Sequence, residues 1–168
     1  LAKAKLYNGY AHFYRANAYL ELVRHFAKAY NPATATTDEA VPLVLTYDIE
    51  AKPARATVKA VYDQVKADLD IAAAGIATKK VSPLLGVTNA NFKMTPTVDG
   101  VNALYARYYL DIQNYAKAAE FSKKVMDNPE FQLASNKDAF EAEYTYDNGT
   151  EAVMQLAGNI QEGGANVN

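Results

Sequence analysis

Residues 101–129 read VNALYARYYLDIQNYAKAAEFSKKVMDNP, and this stretch decides the architecture. Val101, Leu104, Tyr105, Tyr108 and Ile112 recur at the three- and four-residue steps that place side chains on one face of an α-helix. Thr97 is placed to cap that helix, and Asn114 to cap a second one carrying Tyr115, Ala118, Ala119, Ser122, Val125 and Met126. Only about two residues separate the runs, so the helices must turn back on each other as antiparallel neighbours.

The same period continues on the N-terminal side. From Ala2 to Lys28 there is no proline, and Leu6, Tyr10, Phe13, Ala16, Leu20, Val23 and Ala27 form one apolar stripe that Asn31-Pro32 should end. A second stripe, Ala11, Tyr14, Ala18, Leu22 and Phe26, predicts that this helix touches neighbours on two sides. Residues 31–56 hold three prolines and the short run Val41-Pro42-Leu43-Val44-Leu45, and read as a long ordered connection. Thr57 then caps a helix carrying Val58, Val61, Tyr62, Val65, Leu69 and Ala72, which Gly75 stops, with Lys59, Asp63, Lys66 and Asp70 on its solvated face. Residues 76–96 read as loop. Beyond Pro129 a short helix is expected over 136–142. A β-hairpin should follow, pairing Tyr144-Thr145-Tyr146 with residues 152–156 across Asp147-Asn148-Gly149. The fold class expected is therefore all-α, antiparallel helix pairs with long loops and a small C-terminal hairpin. Residues 1–157 form one helical domain and 158–168 a flexible tail.

Composition narrows what such a domain can do. The 168 residues are 50% hydrophobic and 21% charged, which is globular composition. With 17 basic against 19 acidic residues and no dense basic run, a phosphate backbone has nothing to bind, so nucleic acid is excluded as a partner. No apolar run approaches the roughly 20 residues that span a bilayer. The absence of cysteine removes disulfides, thiolate metal sites and cysteine nucleophiles. The sequence opens within a helical pattern, as expected of a fragment of a longer protein.

Residues 101–130 also resemble a tetratricopeptide unit, with Ala106 and Tyr109 on the first helix, Tyr115 at the turn, Ala118 on the second and Pro129 near its close. Small Ala106 and Ala118 would let the backbones approach while Tyr109 and Tyr115 fill the groove beside them. Asn102, Gln113 and Ser122 depart from the repeat, Gln113 standing where glycine is usual. Taken in order, Phe13-Tyr14-Arg15-Ala16-Asn17-Ala18-Tyr19 with Leu22-Val23-Arg24-His25-Phe26, Val41-Pro42-Leu43-Val44, Arg55-Ala56-Thr57-Val58, Asn102 to Leu110 with Tyr115 to Ala119, Phe131-Gln132-Leu133 and Glu151-Ala152-Val153-Met154 resemble the SusD/RagB family of outer-membrane nutrient-binding lipoproteins. Ala27 departs from that pattern, in which glycine follows the first helix.

The resemblance implies non-catalytic binding of an oligosaccharide or other nutrient at the cell surface of the outer membrane. It implies delivery to a SusC-like TonB-dependent transporter, and contact with the membrane only through a lipid anchor absent from this chain. It further implies that the helical repeats are mostly scaffold, with much of the ligand site outside this stretch. Read from repeat physics alone, the alternative is a tetratricopeptide-type scaffold gripping a partner protein.

The residues supply no catalytic, cofactor or metal motif. His12 and His25 stand about 20 Å apart along one helix and cannot share a metal, and both read as surface residues. Asp68 and Asp70 point to different faces and also read as solvated. Thirteen tyrosines and six phenylalanines without tryptophan are the distinctive feature, since aromatic faces stack on sugar C–H faces while phenols bond their rims. Tyr10, Tyr14, Tyr105, Tyr108 and Tyr109 lie on helix stripes and are expected in the core. Tyr30, Tyr47 and Phe92, with Asn91, lie off the stripes and are the carbohydrate-binding candidates.

Overall fold

A computed structural model of the chain describes residues 2–77, 95–145 and 151–154. Helix α1 spans Ala2–Phe26, strand β1 Glu39–Pro42, strand β2 Arg55–Thr57 and helix α2 Val58–Gly75. Helices α3, Val98–Asp111, α4, Tyr115–Met126, and α5, Lys137–Thr145, complete the order. No helix among the described residues is long and apolar enough to cross a membrane.

Each of the three expected caps is made. Thr57, Thr97 and Asn114 accept from the backbone N–H of Ala60, Gly100 and Lys117, satisfying one of the otherwise unpaired donors at each helix start. The stripe of α2 is buried from Val58 to Ala72, with Lys59–Asp63 and Lys66–Asp70 ion pairs on its outer face. Against it pack Phe13, Ala16, Leu20 and Val23 of α1, and Val101, Leu104, Tyr105 and Tyr108 of α3 complete the core. The three helices run alternately up and down: Gly9 of α1 meets Gly75, while the Phe26 carbonyl accepts from Arg55 just before α2 begins. On the α2–α3 face, the Tyr105 hydroxyl donates to Asp70 at 2.6 Å, and the Tyr62 and Tyr108 rings lie 6.2 Å apart.

Four expectations change. Helix α1 ends at Phe26, not at Asn31-Pro32, because the Arg55 guanidinium takes the Phe26 carbonyl at 3.2 Å and the chain leaves the axis there. The connection that follows carries the molecule's described sheet: β1 and β2 pair antiparallel, Glu39 opposite Thr57 and Pro42 opposite Arg55, with an irregular register between. The C-terminal hairpin is not formed in its described part. Asn136 caps α5, its side chain accepting from the Ala139 N–H, and the helix runs on through Tyr144 and Thr145. Residues 151–154 are irregular, held where Glu151 accepts from the Ala134 N–H at 2.8 Å. Residues 146–150, the far end of the expected hairpin and the tail at 158–168 lie outside the described residues, as does most of the loop expected over 76–96.

The fourth change concerns which stripes are covered. On α1 the first stripe is buried from Phe13 to Val23 and half-buried at Leu6, Tyr10 and Ala27, but Tyr14, Leu22 and Phe26 of the second remain exposed. On α4 only Ala118 is buried. Tyr115, expected in the groove between α3 and α4, is 64% exposed, and Phe121 fills that groove instead, stacking on Tyr105 at 4.6 Å and Tyr109 at 5.5 Å. Among the tyrosines expected in the core, Tyr105 and Tyr108 are buried, Tyr10 and Tyr109 are half-buried, and Tyr14 is not.

Candidate functional site

The chain between α1 and β1 folds into consecutive turns that build one wall of a polar cleft. Asn31 starts them, its side chain accepting from the Ala33 N–H at 3.0 Å and its carbonyl from Ala35 at 2.8 Å, the local bonding that suits Asn to turns. Asp38 closes them: one carboxylate oxygen accepts from Lys28 and the other from the Thr34 hydroxyl, both at 2.6 Å. Those two bonds, Lys28 foremost, hold the Asp38 carboxyl below the usual carboxylate range. The turns are fixed to the start of α2, where Val58 and Lys59 donate backbone N–H groups to the Asp38 and Ala35 carbonyls.

The opposite wall is the α3–α4 turn. Gln113 reaches across from it and donates its side-chain amide to the Tyr30 carbonyl at 3.0 Å. Lys28, Tyr30, Asn31, Thr34, Asp38 and Gln113 thus line a cleft of about 620 Å³. A second hollow of about 550 Å³ adjoins it, sharing Lys28 and Asp38 and extending past Phe26 to Glu39 and Arg55. Tyr30 is half-buried, its ring set edge-on against Tyr62 at 5.3 Å, which fixes the ring plane. A fixed aromatic ring beside amides, hydroxyls and a neutralised ion pair is the equipment for holding a polyhydroxylated ligand.

Of the carbohydrate-binding candidates, Tyr30 lines the cleft. Tyr47 lines neither hollow and stands 92% exposed on the irregular segment 43–54. Phe92 and Asn91 lie outside the described residues. Lys28, Thr34, Asp38 and Gln113 were not candidates on sequence grounds. Their signal was weak: an Asn-Pro turn start and a polar residue at a helix end that usually carries glycine.

Gln113 is the one described non-glycine residue with positive φ, at 62°, and it closes α3 while Asn114 N–H donates back to the Tyr109 carbonyl at 2.8 Å. Gln113→Val should therefore lower stability by about 1–2 kcal/mol, because a β-branched side chain fits this conformation poorly. Gln113→Gly should stay within about 0.5 kcal/mol of the parent, relief of the left-handed backbone offsetting the lost bond to Tyr30. Urea melts of both variants check this, and equal losses would mean that the side-chain bond, not the backbone, governs the position.

A second polar cluster lies between α1 and α2, and it corrects the surface reading of His12 and Asp68. Asp68 is fully buried. Arg15 holds it with two bonds, Nε to Oδ2 at 2.8 Å and a terminal nitrogen to Oδ1 at 2.6 Å. His12 Nδ1 lies 2.7 Å from Oδ1, and Gln64 donates to the same oxygen at 2.9 Å. Burial acts to raise the Asp68 pKa, but the bonds from Arg15 and then His12 outweigh it and hold the carboxyl below its ordinary value. The position was readable: Asp68 falls three residues after Val65 and four before Ala72, on the apolar stripe itself. A His–Asp pair can orient a general base, yet here Arg15 saturates the carboxylate, and the arrangement reads as a tie between helices. No group of three or more metal-ligating side chains converges among the described residues.

A third cluster joins α1 to α3. Glu21 pairs with Arg107, whose hydrogen bond is the main reason the Glu21 pKa is lowered. Asp111 lies beside Arg24 at 3.6 Å, and burial pushes its pKa up against the opposing charges of Arg24 and Arg107.

Comparison with known proteins places this architecture. Residues 2–110 match the SusD-like family, described as starch-binding and associating with the outer membrane. A SusD superfamily protein from Bacteroides thetaiotaomicron superposes with a TM-score of 0.75 at 23% identity, over 96% of this chain and 33% of that one. A SusD-like carbohydrate binding protein from Bacteroides vulgatus gives 0.74 at 21%, over 96% and 32%. A SusD superfamily protein from Bacteroides fragilis gives 0.59 at 25%, over 76% and 28%. The chain thus spans about a third of the length of these solved structures. No curated protein matches it.

Proposed function

The chain belongs to the SusD-like family, and from that premise we propose that the full-length protein captures a glycan, starch-type oligosaccharides foremost, at the outer-membrane surface without altering it. A lipid anchor outside these residues holds it there, and a SusC-like TonB-dependent transporter receives the ligand. This chain supplies the helical scaffold, residues 1–157 acting as one unit. It also lends part of a sugar-contacting surface.

The observation that carries the reading is the cleft in which Tyr30, its ring plane fixed by Tyr62, stands beside Asn31, Thr34 and Gln113. Sugars ask for that combination of an apolar ring face and neutral hydrogen-bonding groups. Tyr47, Phe92 and Asn91 are proposed as further contacts reached by a longer chain of sugar units. Binding without chemistry is supported by the locked state of the His12–Asp68 pair, which has Arg15 bonded to the carboxylate that would orient a base.

Isothermal titration of the full-length protein with a panel of neutral and acidic oligosaccharides tests the proposal. Saturable heat with at least one glycan, unchanged glycan recovered afterwards, and an affinity reduced about fivefold or more in a folded Tyr30→Ala variant are expected. Absence of binding across the panel sinks the function, whereas binding undiminished in the variant sinks only the cleft.

A further inference from the structure

Beyond the Lys28–Asp38 pair the Tyr30 cleft gives onto the second hollow, of about 550 Å³, and both members of the pair line both spaces. The cleft is furnished mainly with neutral groups around Tyr30. The hollow is furnished differently, with Phe26, Glu39 and Arg55 on its walls.

Arg55 is set in place from two sides. Its Nε donates to the Ala40 carbonyl at 2.5 Å and a terminal nitrogen to the Phe26 carbonyl at 3.2 Å, so the guanidinium is fixed between β1 and the end of α1. Both acceptors are neutral backbone groups, and they leave most of its N–H donors unspent. Glu39 is exposed, and its carboxylate takes no hydrogen bond or ion pair among the described residues. Asp38, by contrast, is spent on Lys28 and Thr34.

The charges on these walls cancel, Lys28 and Arg55 against Asp38 and Glu39, so the hollow has no net charge with which to draw in an anion or a cation. What it offers is a free group that only accepts and a free group that mainly donates. Neighbouring hydroxyls on a sugar ring answer both, since an O–H donates to a carboxylate while its oxygen accepts from a guanidinium. The Phe26 ring, 66% exposed, supplies the apolar face that sugar C–H groups cover. An acidic sugar unit fits worse, because its carboxylate shares the hollow with Glu39.

We propose that the hollow of Phe26, Glu39 and Arg55 is a second sugar subsite, binding an uncharged unit with neighbouring free hydroxyls on the same glycan chain that lies on Tyr30. The subsite rests on the glycan reading of the Tyr30 cleft and adds to it a preference for longer, neutral chains. Lys28 and Asp38 mark the boundary that the glycan crosses.

Isothermal titration of the full-length protein with maltose and with maltohexaose tests this. The parent should bind maltohexaose at least about tenfold more tightly than maltose, because the second contact is made by a chain already held at the first. Phe26→Ala and Glu39→Gln, both at exposed positions outside the core, should each weaken maltohexaose about fivefold and leave maltose within about twofold of the parent. Tyr30→Ala should weaken both sugars. Equal affinity of the parent for the two sugars overturns the subsite and leaves the cleft standing. So does a Phe26→Ala or Glu39→Gln protein that holds maltohexaose as the parent does, or that loses maltose in the same proportion. Heat from neither sugar overturns the starch-type ligand, and the subsite falls with it.

Discussion

Asp68→Ala should lower the stability of the protein by about 3–5 kcal/mol, the cost of removing one partner from a buried charged cluster. The carboxylate is wholly inaccessible, and its removal strands the Arg15 guanidinium, 31% exposed, and the His12 ring, 19% exposed, against α2. Partial access to water lets both groups recover some solvation, which favours the lower end of that range. Asp68→Asn should fall between the parent and the alanine variant. It keeps one acceptor oxygen for Arg15 but turns an amide towards another donor, and charge-assisted bonds are worth about 1.5–3 kcal/mol each. Replacing the pair together, Arg15→Met with Asp68→Leu, should cost much less than the sum of the single changes, because no charge is then left buried. Urea unfolding of the parent, Arg15→Met, Asp68→Leu and the double variant reads this directly, and additive losses would mean that the cluster is not a coupled unit.

The same carboxylate sets a pH dependence of known sign. Its pKa is lower in the folded protein than the ordinary value of about 3.9, so the unfolded chain takes up the proton first as pH falls. The stabilisation is present above the ordinary pKa and is lost as pH drops through the lower, folded value. Unfolding midpoints should accordingly fall below about pH 4 in the parent, and less steeply in Asp68→Asn.

These residues also show where sequence reasoning works and where it stops. Helix starts were legible because capping is local: Thr57, Thr97 and Asn114 each bond an N–H three residues on, and nothing distant is required. The buried faces of α2 and α3 were legible because period alone defines them. The end of α1 was not, since the group that stops it, Arg55, arrives from β2. Neither were β1 and β2, four and three residues long and paired across the whole of segment 43–54. Tyr30 was separable from the core tyrosines by its place beyond the stripe. The cleft around it was not readable, because Gln113 comes to it from 83 residues away. Asp68 fell between these cases: its stripe position was visible, while its partners His12 and Arg15 belong to another helix.

The crossing of α1 and α2 yields the second large effect. Gly75→Ala should destabilise the protein by about 1–3 kcal/mol, the usual cost of forcing extra atoms into a packed interface. A methyl group there would stand 2.8 Å from the Lys5 carbonyl oxygen and 2.9 Å from Gly9 Cα, both backbone atoms that cannot swing aside. Relief therefore requires the helices to separate, and separation pulls Ile76, which is 1% exposed, and Ala72, which is fully buried, away from α1. The helix-forming advantage of alanine over glycine, about 0.5–1 kcal/mol, is too small to offset this. At Gly9 the opposing terms are closer. An added methyl group meets Gly75 Cα and the Ile76 side chain at 3.1 Å, and Ile76 can yield part of that distance. Gly9→Ala should thus cost less than Gly75→Ala, and the double variant should cost more than the two combined, since each new methyl group occupies the space the other needs. Thermal and urea melts of the three variants measure the order. A stabilising Gly75→Ala would mean that the helices do not meet at this contact, and the packing of α1 on α2 would then have to be redrawn.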